Sequence, residues 1–316
     1  MLYRHLGNSG LEVSEAGIGT NNFGGRMNYR QSQAVIHAAL DHGINLFDTA
    51  DVYSMGVSER YIGRALRSVT GGRQKAIVAT KFGMKWADGP HGQGGSRQRV
   101  TEGVEGSLTR LQTDYIDLYQ VHRWDPATPV EETLRALDDL VRAGKVRYIG
   151  CSNFTGWQIV ESAWTARTLH LTPFVSAQPE YSLVVRDIEA EVLPACEKYG
   201  LGILPYFPLA LGFLTGKYQR GTPPPPDTRL GKLKAAADRR LTDVNFDLLG
   251  RLEKFCGAHG HTVQELAFAW LLGHRAVSSV IAGASTAEQV AQNAKAIEWR
   301  LSPDDMKAVE AAVKGA

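Results

Sequence analysis

Short runs of β-branched and apolar residues alternate with longer segments of helical period along almost the whole chain of 316 residues. Most runs are followed by a helix-like segment, which is the pattern of parallel βα units. There are eight runs: EAGIGTN, INLFDTA, AIVATK, YIDLYQVH, VRYIGCSN, FVSAQPEY, GILPYFPLA and SSVIAGA. Eight consecutive units can close a (β/α)8 TIM barrel, a fold whose length exceeds the usual domain size. The sequence therefore predicts one α/β barrel domain over residues 1–316.

Segments outside the eight units predict additions to the barrel. LGNSGLEV, near the start, indicates a β-hairpin, and two helices are expected after strand eight, the second capped by Ser302 with Pro303 in its first turn. A helix after strand four is expected to begin with a capping box of Thr128 and Glu131. Residues 212–240 contain TPPPPDTRLGK, which predicts a long loop after strand seven without regular structure, and loops of that length are usually functional.

Charge and composition exclude several classes of function. The 35 basic and 33 acidic residues nearly cancel, without a long run of one sign, so nothing recruits nucleic acid or an anionic membrane. The N-terminus lacks an apolar signal segment, and no stretch approaches the ~20 apolar residues that cross a bilayer. Cys151, Cys196 and Cys256 show no paired spacing, which favours a reducing, cytoplasmic location. We expect a small-molecule partner.

Polar side chains stand at the carboxyl ends of the predicted strands, where barrel chemistry gathers. In chain order they are Asp48 and Tyr53, Lys81, His122, Ser152 and Asn153, Gln178, and Tyr206. Buried ionisable groups are costly unless they pair with one another or with a ligand, so their crowding indicates a site. A metal site is not expected, because His259 and His261 flank a glycine and no acid completes a ligand set.

Asp48, Tyr53, Lys81 and His122, called the tetrad below, suit proton donation to a carbonyl. A neighbouring ammonium is expected to pull the pKa of a phenol down from ~10 toward the working range. Lys81 would supply that charge, Asp48 would hold Lys81, and His122 would orient the substrate oxygen. Each residue alone also has a structural explanation as a strand cap, a packing aromatic, a rim lysine or a core histidine. Lys81 could alternatively form a Schiff base, as in an aldolase.

The motifs FDTADVY, ATKFG, DLYQVHRWD, IGCSNF, AQPEYSL, PYFPLALGFLTGKY and VIAGASTAEQVAQN resemble those of the aldo-keto reductases, in order, over nearly the whole chain. The resemblance implies a barrel that binds NADPH without a Rossmann domain and reduces aldehydes or ketones, with Tyr53 as general acid. It is greatest for the branch containing potassium-channel beta subunits and their bacterial relatives, which often assemble as oligomers. A cofactor-binding regulatory subunit with little turnover is therefore an alternative, and a homo-oligomer is consistent with the branch.

The same resemblance implies cofactor contacts from several segments. Ser152, Asn153 and Gln178 would hold the nicotinamide carboxamide, and Tyr206 would stack on the ring. Further contacts are implied for Leu209, Gly212, Leu214, Lys217, Arg229, Gly283, Ser285, Gln289 and Asn293. Phe207 stands where many relatives have serine, and Ser54, Met55 and Gly56 replace a glycine pair.

NADPH is expected rather than NADH. Ser285 and Glu288 have the spacing of a capping box, which predicts an exposed helix N-terminus suited to phosphate. Arg229, in the proline-rich loop, could bind the 2′-phosphate with paired hydrogen bonds, and Arg220 and Lys232 are alternatives.

Trp86, Arg123 and Trp124 follow strands three and four and are candidate substrate-binding residues. Packing of barrel loops would explain the tryptophans equally well, and a surface ion pair would explain Arg123. The sequence does not name the carbonyl compound or the direction of its reaction.

Overall fold

The eight predicted strands form one parallel sheet, in chain order, in the computed structural model, which describes residues 1–315. Their bounds, preceded by those of a two-stranded hairpin, are β1 Tyr3–His5, β2 Glu12–Ser14, β3 Ala16–Gly19, β4 Leu46–Asp48, β5 Ile77–Phe82, β6 Ile116–Val121, β7 Val146–Ser152, β8 Phe174–Gln178, β9 Gly202–Ile203 and β10 Val280–Gly283. Parallel bridges from Ile203 to Val277 and from Tyr206 to Ile281 join the last two strands and close the barrel. The predicted (β/α)8 fold and N-terminal hairpin are confirmed.

Helices cover the outside of the barrel between successive strands. Their bounds are α1 Tyr29–Asp41, α2 Val57–Arg67, α3 Gly72–Lys75, α4 Arg97–Leu111, α5 Val130–Arg142, α6 Gly156–Thr168, α7 Val192–Tyr199, α8 Arg229–Lys232, α9 Lys234–Arg240, α10 Asp243–His259, α11 Val263–Gly273, α12 Ala287–Ala296 and α13 Pro303–Lys314. The side chain of Ser302 caps α13, and Pro303 lies in its first turn, as predicted.

The period of two along each strand separates an outer layer from an inner one. Phe47 packs with the apolar side chains under the helices, whereas Leu46 belongs to an inner cluster with Ala79 and Leu118. Side chains of the hairpin complete that inner cluster and fill one end of the barrel. Asp48 shares the face of Leu46, because side chains two residues apart point the same way. Polar groups therefore collect at the opposite, carboxyl end.

Two local predictions were wrong. Residues 212–240 are not a loop throughout. They overlap the 3-10 segment Ala210–Thr215 and contain the two short helices α8 and α9. Only the prolines at 223–226 exclude helix, and Thr228 caps the turn that follows them. Thr128 does not cap α5. Its hydroxyl donates to Asp125 instead, and Pro129 precedes the helix without a side-chain cap.

Within residues 1–315, no helix combines the length and the apolar composition that crossing a membrane would require. The three cysteines are free thiols in the protein interior.

Candidate active site

A cleft of about 810 Å³ opens at the carboxyl ends of the strands. It runs from the tetrad, past the segment that follows β9, to the start of α12. Among the predicted site residues, its lining contains Asp48, Tyr53, His122, Arg123, Ser152, Asn153, Gln178, Tyr206, Leu209, Gly212, Lys217, Arg229, Gly283, Ser285, Gln289 and Asn293. Most of the predicted site residues therefore lie in one cleft, and those predicted from the ends of strands gather at its tetrad end.

Asp48 and Lys81 form a buried ion pair at the base of the cleft. The Lys81 ammonium donates to both carboxylate oxygens of Asp48, at 2.6 and 2.8 Å, and to the Thr49 carbonyl at 2.8 Å. The Gln178 amide donates to the same carboxylate at 2.8 Å. Burial by itself would lower the pKa of Lys81, but Asp48 and Tyr53 together outweigh burial, and the pKa lies above its ordinary value. A fixed, permanent positive charge therefore lies below the cleft.

Tyr53 follows β4 on a short loop and lies beside that charge. The Lys81 ammonium is 5.3 Å from the centre of the Tyr53 ring. Protein surrounds the ring on most sides, and part of its surface remains open to the cleft. Burial raises the pKa of Tyr53, although Lys81 acts in the opposite direction. The expectation that Lys81 would bring this pKa below its ordinary value was wrong, because desolvation of a phenolate is the larger effect in the free protein.

The loop after Tyr53 is conformationally unusual. Ser54, Met55 and Gly56 all have positive φ, at 50°, 51° and 77°. Only glycine adopts that region without cost, and non-glycine residues there often mark functional segments. At Gly56 a Cβ would lie 2.4 Å from the side chain of Arg110, so only glycine fits. The chain thus accepts strain immediately after the candidate proton donor.

His122 follows the last residue of β6 and faces Tyr53. Their ring centres are 5.9 Å apart in an edge-on arrangement. Burial, together with the nearby charges of Lys81 and Arg123, lowers the pKa of His122 to about 3. Its Nδ1 is buried and has no partner within the described residues. The imidazole is therefore neutral at physiological pH and suits a hydrogen bond rather than a charge.

Ser152, Asn153 and Tyr206 form a connected group above the tetrad. The Asn153 amide donates to the His122 carbonyl and to the Ser152 hydroxyl, both at 3.0 Å. The Tyr206 hydroxyl donates to the Asn153 side-chain oxygen at 2.8 Å, and Ser152 donates to the Gln178 carbonyl at 2.8 Å. Asn153 has a φ of 58°, a region that asparagine tolerates better than most residues. These bonds hold Tyr206 over the cleft floor.

The far end of the cleft is lined by polar side chains of α11 and α12. The Asn293 oxygen accepts from Gln264 at 3.1 Å, while its buried Nδ2 has no partner within residues 1–315. The cap of α12 differs from the prediction by one residue: Thr286, not Ser285, accepts from the backbone of Gln289. The Ser285 amide donates instead to the Gln289 side chain, at 2.7 Å.

Arg229 is the only one of three candidate cations that lines the cleft within the described part of the chain. Its guanidinium lies 4.7 Å from the centre of the Phe207 ring and donates to Asn21 at 3.4 Å. Arg220 lies elsewhere on the surface, where it pairs with Asp243 and Asp247. Lys232 is exposed outside the cleft.

Four predicted residues do not line the cleft. Lys81 is fully buried beneath it, where it pairs with Asp48. Trp86 borders a separate cavity of about 140 Å³, because its loop folds onto α4 and the Arg110 guanidinium stacks on its ring, 4.7 Å from the centre. Trp124 packs edge-on against Phe154 and Trp157, at 5.2 and 5.3 Å. Leu214, in the 3-10 segment Ala210–Thr215, is fully buried.

Several lining residues were not predicted. The loop after β3 contributes Thr20, Asn21, Asn22 and Arg26, and Met84 follows β5. Position at a strand end would have found Thr20, Asn21 and Asn22, since the first predicted run, EAGIGTN, ends with Thr20 and Asn21 and Asn22 follows it. Within residues 1–315, no group of three or more His, Cys, Asp or Glu side chains is arranged to hold a metal ion.

Comparison with known proteins agrees with this geometry. Residues 15–314 match the Aldo/keto reductase family. A probable voltage-gated potassium channel subunit beta of Oryza sativa subsp. japonica is 38% identical, over 99% of this chain and 97% of its own length. An uncharacterized oxidoreductase of Bacillus subtilis, YrpG, is 37% identical, over 97% of this chain and 94% of its own. An aldo-keto reductase of Fusarium vanettenii is 34% identical, over 98% of this chain and 90% of its own length. The chain therefore belongs to the aldo/keto reductase family, which supports an oxidoreductase activity on carbonyl groups.

Proposed function

We propose that the protein reduces aldehydes or ketones to alcohols with NADPH, and that Tyr53 is the general acid. The observation that carries the proposal is the buried pair of Lys81 and Asp48 beside Tyr53 and the neutral His122, all at one end of the large cleft. A permanent cation next to a phenol stabilises the phenolate that is left when the phenol gives its proton to the substrate oxygen.

The cleft fits a nicotinamide dinucleotide. Gln178, Asn153 and Ser152 offer amide and hydroxyl groups at the tetrad end, where Tyr206 offers a ring face. At the other end, the amide nitrogen of Asn293, which has no partner within residues 1–315, suits an adenine nitrogen. NADPH supplies the hydride when bound.

The residues of the tetrad then divide the work of proton transfer. A phenol is neutral at physiological pH, since its ordinary pKa is ~10, and burial raises the pKa of Tyr53 further. Tyr53 therefore holds the proton that the substrate oxygen needs. Lys81 stabilises the phenolate left behind, and Asp48 keeps the ammonium in position. His122, which is neutral, can orient the carbonyl oxygen by a hydrogen bond without adding charge.

The activity is tested by following NADPH absorbance with a panel of carbonyl compounds that includes 4-nitrobenzaldehyde. We expect turnover, and nucleotide released on denaturing the purified protein would identify the cofactor. Absence of turnover across a broad panel would contradict the reductase.

Preference for NADPH over NADH is assigned to Arg229. We expect Arg229→Ala to weaken NADPH binding by ~1.5 to 3 kcal/mol, the scale of a charge-assisted hydrogen bond, with little effect on NADH. Lys232→Ala is the matched control, since that residue is outside the cleft. Fluorescence titration of both nucleotides measures the effect. Equal losses of NADPH and NADH affinity in Arg229→Ala would remove Arg229 from the 2′-phosphate site. A selective loss of NADPH affinity in Lys232→Ala would assign that site to Lys232 instead.

A regulatory subunit is the second candidate. It is favoured by the names of the rice relative and of a similar Arabidopsis thaliana protein, 37% identical, each called a probable voltage-gated potassium channel subunit beta. Tight nucleotide binding with negligible turnover, together with a stable protein partner, would support this alternative. A Schiff-base aldolase is disfavoured, because Lys81 is held as an ammonium by Asp48 and a Schiff base requires the neutral amine.

A single domain over residues 1–316, a cytoplasmic location and a homo-oligomer stay predictions. Size-exclusion chromatography with light scattering would measure the oligomer directly.

A further inference from the structure

Three arginines line the cleft without an acidic partner. Arg26, Arg123 and Arg229 make no salt bridge within residues 1–315. Of the acids in the lining, Asp48 is neutralised by Lys81, and Asp227 is exposed on the proline-rich loop. The cleft therefore carries more positive charge than its own residues balance.

Arg123 lies at the tetrad end of this cleft. It follows His122 directly, and its charge contributes to lowering the pKa of His122 and opposes the rise in that of Tyr206. Lys217 and Arg229 lie on the segments that, by the proposed function, would cover the phosphates of the cofactor. Arg123 is thus a cation without an acidic partner that lies next to His122, at the end of the cleft where a carbonyl substrate would bind.

A surface ion pair does not explain Arg123. The nearest acid in sequence, Asp125, accepts from the backbone amides of Gly95 and Ala127, at 2.8 and 2.9 Å, and from the Thr128 hydroxyl at 2.7 Å. Those bonds fix Asp125 to its own loop. Arg123 is exposed at the mouth of the cleft, where its guanidinium is available to a ligand.

We propose that Arg123 binds an anionic group, a carboxylate or a phosphate, on the carbonyl substrate, so that the enzyme prefers aldehydes that carry such a group. Arg26, from the loop after β3, adds to the positive potential of the same cleft. A guanidinium matches both anions by paired hydrogen bonds. This inference rests on the proposed reductase function.

The test compares substrates that differ in charge but little in shape. 4-Carboxybenzaldehyde is paired with methyl 4-formylbenzoate, and glyceraldehyde 3-phosphate with glyceraldehyde. We expect kcat/KM to favour the charged member of at least one pair by about 10-fold or more, the scale of one charge-assisted contact. Because Arg123 is exposed, the preference should fall as salt rises. The pair that shows it identifies carboxylate or phosphate.

Arg123→Gln should bring that ratio close to one. Arg135→Gln, which removes an equal charge from the exposed face of α5, should keep the wild-type ratio. Equal kcat/KM within both pairs, or a ratio unchanged in Arg123→Gln, would overturn the proposal.

Binding without turnover separates the two proposals. Tryptophan fluorescence should report tighter binding of terephthalate than of dimethyl terephthalate to the protein saturated with NADP+, and Arg123→Gln should abolish the difference. If no aldehyde is reduced but this difference is present, the reductase function fails and the anion site stands. If aldehydes are reduced but the difference is absent, and both substrate pairs also react equally, the anion site fails alone.

Discussion

Asp48 and Asp51 are three residues apart, and both are buried and paired with a cation, yet their surroundings differ. Asp48 and Lys81 belong to the tetrad, which faces the cleft of about 810 Å³. Asp51 pairs with Arg99 of α4 on the other side of the loop, next to a cavity of only about 140 Å³. The motif FDTADVY thus supplies one acid, Asp48, to the open cleft and another, Asp51, to a buried ion pair behind the loop.

The second group, which we call the supporting cluster, consists of Asp51, Glu59, Thr80, Arg99 and Arg110. Glu59 is fully buried and accepts from Thr80 and from Arg110, both at 2.6 Å. The Asp51 carboxylate also accepts from the Val52 amide at 2.7 Å, next to Tyr53. The cluster ties α2, α4 and β5 to the loop that carries the candidate proton donor. A buried ion pair therefore indicates chemistry only when a cleft and a proton-transferring group adjoin it.

The largest expected effect distinguishes two tyrosines. Tyr53→Phe should reduce carbonyl turnover by ~10² to 10⁴, the usual effect of removing a general acid, and should leave nucleotide affinity nearly unchanged. Tyr119→Phe is the matched control, because Tyr119 is fully buried beside the supporting cluster and donates only a long bond, 3.4 Å, to Val100. Steady-state kinetics of both variants check this. Near-normal turnover in Tyr53→Phe would refute its assignment.

The same substitution at the two cations separates chemistry from support. Lys81→Met and Arg99→Met each leave a buried carboxylate unpaired, and each should reduce the free energy of unfolding by about 3 to 5 kcal/mol. Only Lys81→Met should also abolish turnover of the folded fraction. Denaturant titration and active-site-normalised kinetics measure the two effects. A comparable loss of turnover in Arg99→Met would make Arg99 a positioning residue for Tyr53.

Removing both charges of the Asp51–Arg99 pair should restore most of the free energy of unfolding that Arg99→Met loses. We expect Asp51→Asn combined with Arg99→Met to unfold within about 1 kcal/mol of the wild type, since the unpaired carboxylate is gone and Asn can still accept from Val52. Burial already raises the pKa of Asp51, against the opposing charge of Arg99. A double variant no more stable than Arg99→Met would show that the charge itself is required.

The smallest expected effect is a pH dependence of stability from His122. Its pKa is about 3 in the folded protein, against an ordinary value of ~6.5, so between these values the unfolded chain binds the proton and the folded chain does not. Stability should therefore fall with decreasing pH, by about 1 kcal/mol from pH 7 to 5.5. Denaturant titrations at both pH values should show a smaller fall in His122→Asn. An identical fall in the variant would contradict the low pKa.

Pattern alone located the tetrad end of the candidate site because parallel strands converge at their carboxyl ends, whereas the remaining cofactor contacts were implied by the family resemblance. Residues as distant as Asp48 and Gln178 could be placed together without knowing any side-chain contact, and the structure joins them by a hydrogen bond. The local pattern did not distinguish between neighbouring residues that suit the same role, and the predicted cap of α12 was wrong by one residue. Ser285 and Thr286 are both good caps, and only the backbone at residue 286 decides between them.

The sequence by itself determined the order of eight βα units, the hairpin, and the strand ends that carry the tetrad, since each depends on periods of two or about 3.6 residues. Tertiary structure alone decided the partners of Asp51 and Glu59, the turn of Trp86 onto α4, and the raised pKa of Tyr53. Those outcomes depend on how completely other segments bury each group. Burial is a sum over contacts between residues distant in sequence, such as Asp51 and Arg99, which are 48 positions apart, and no local period encodes it.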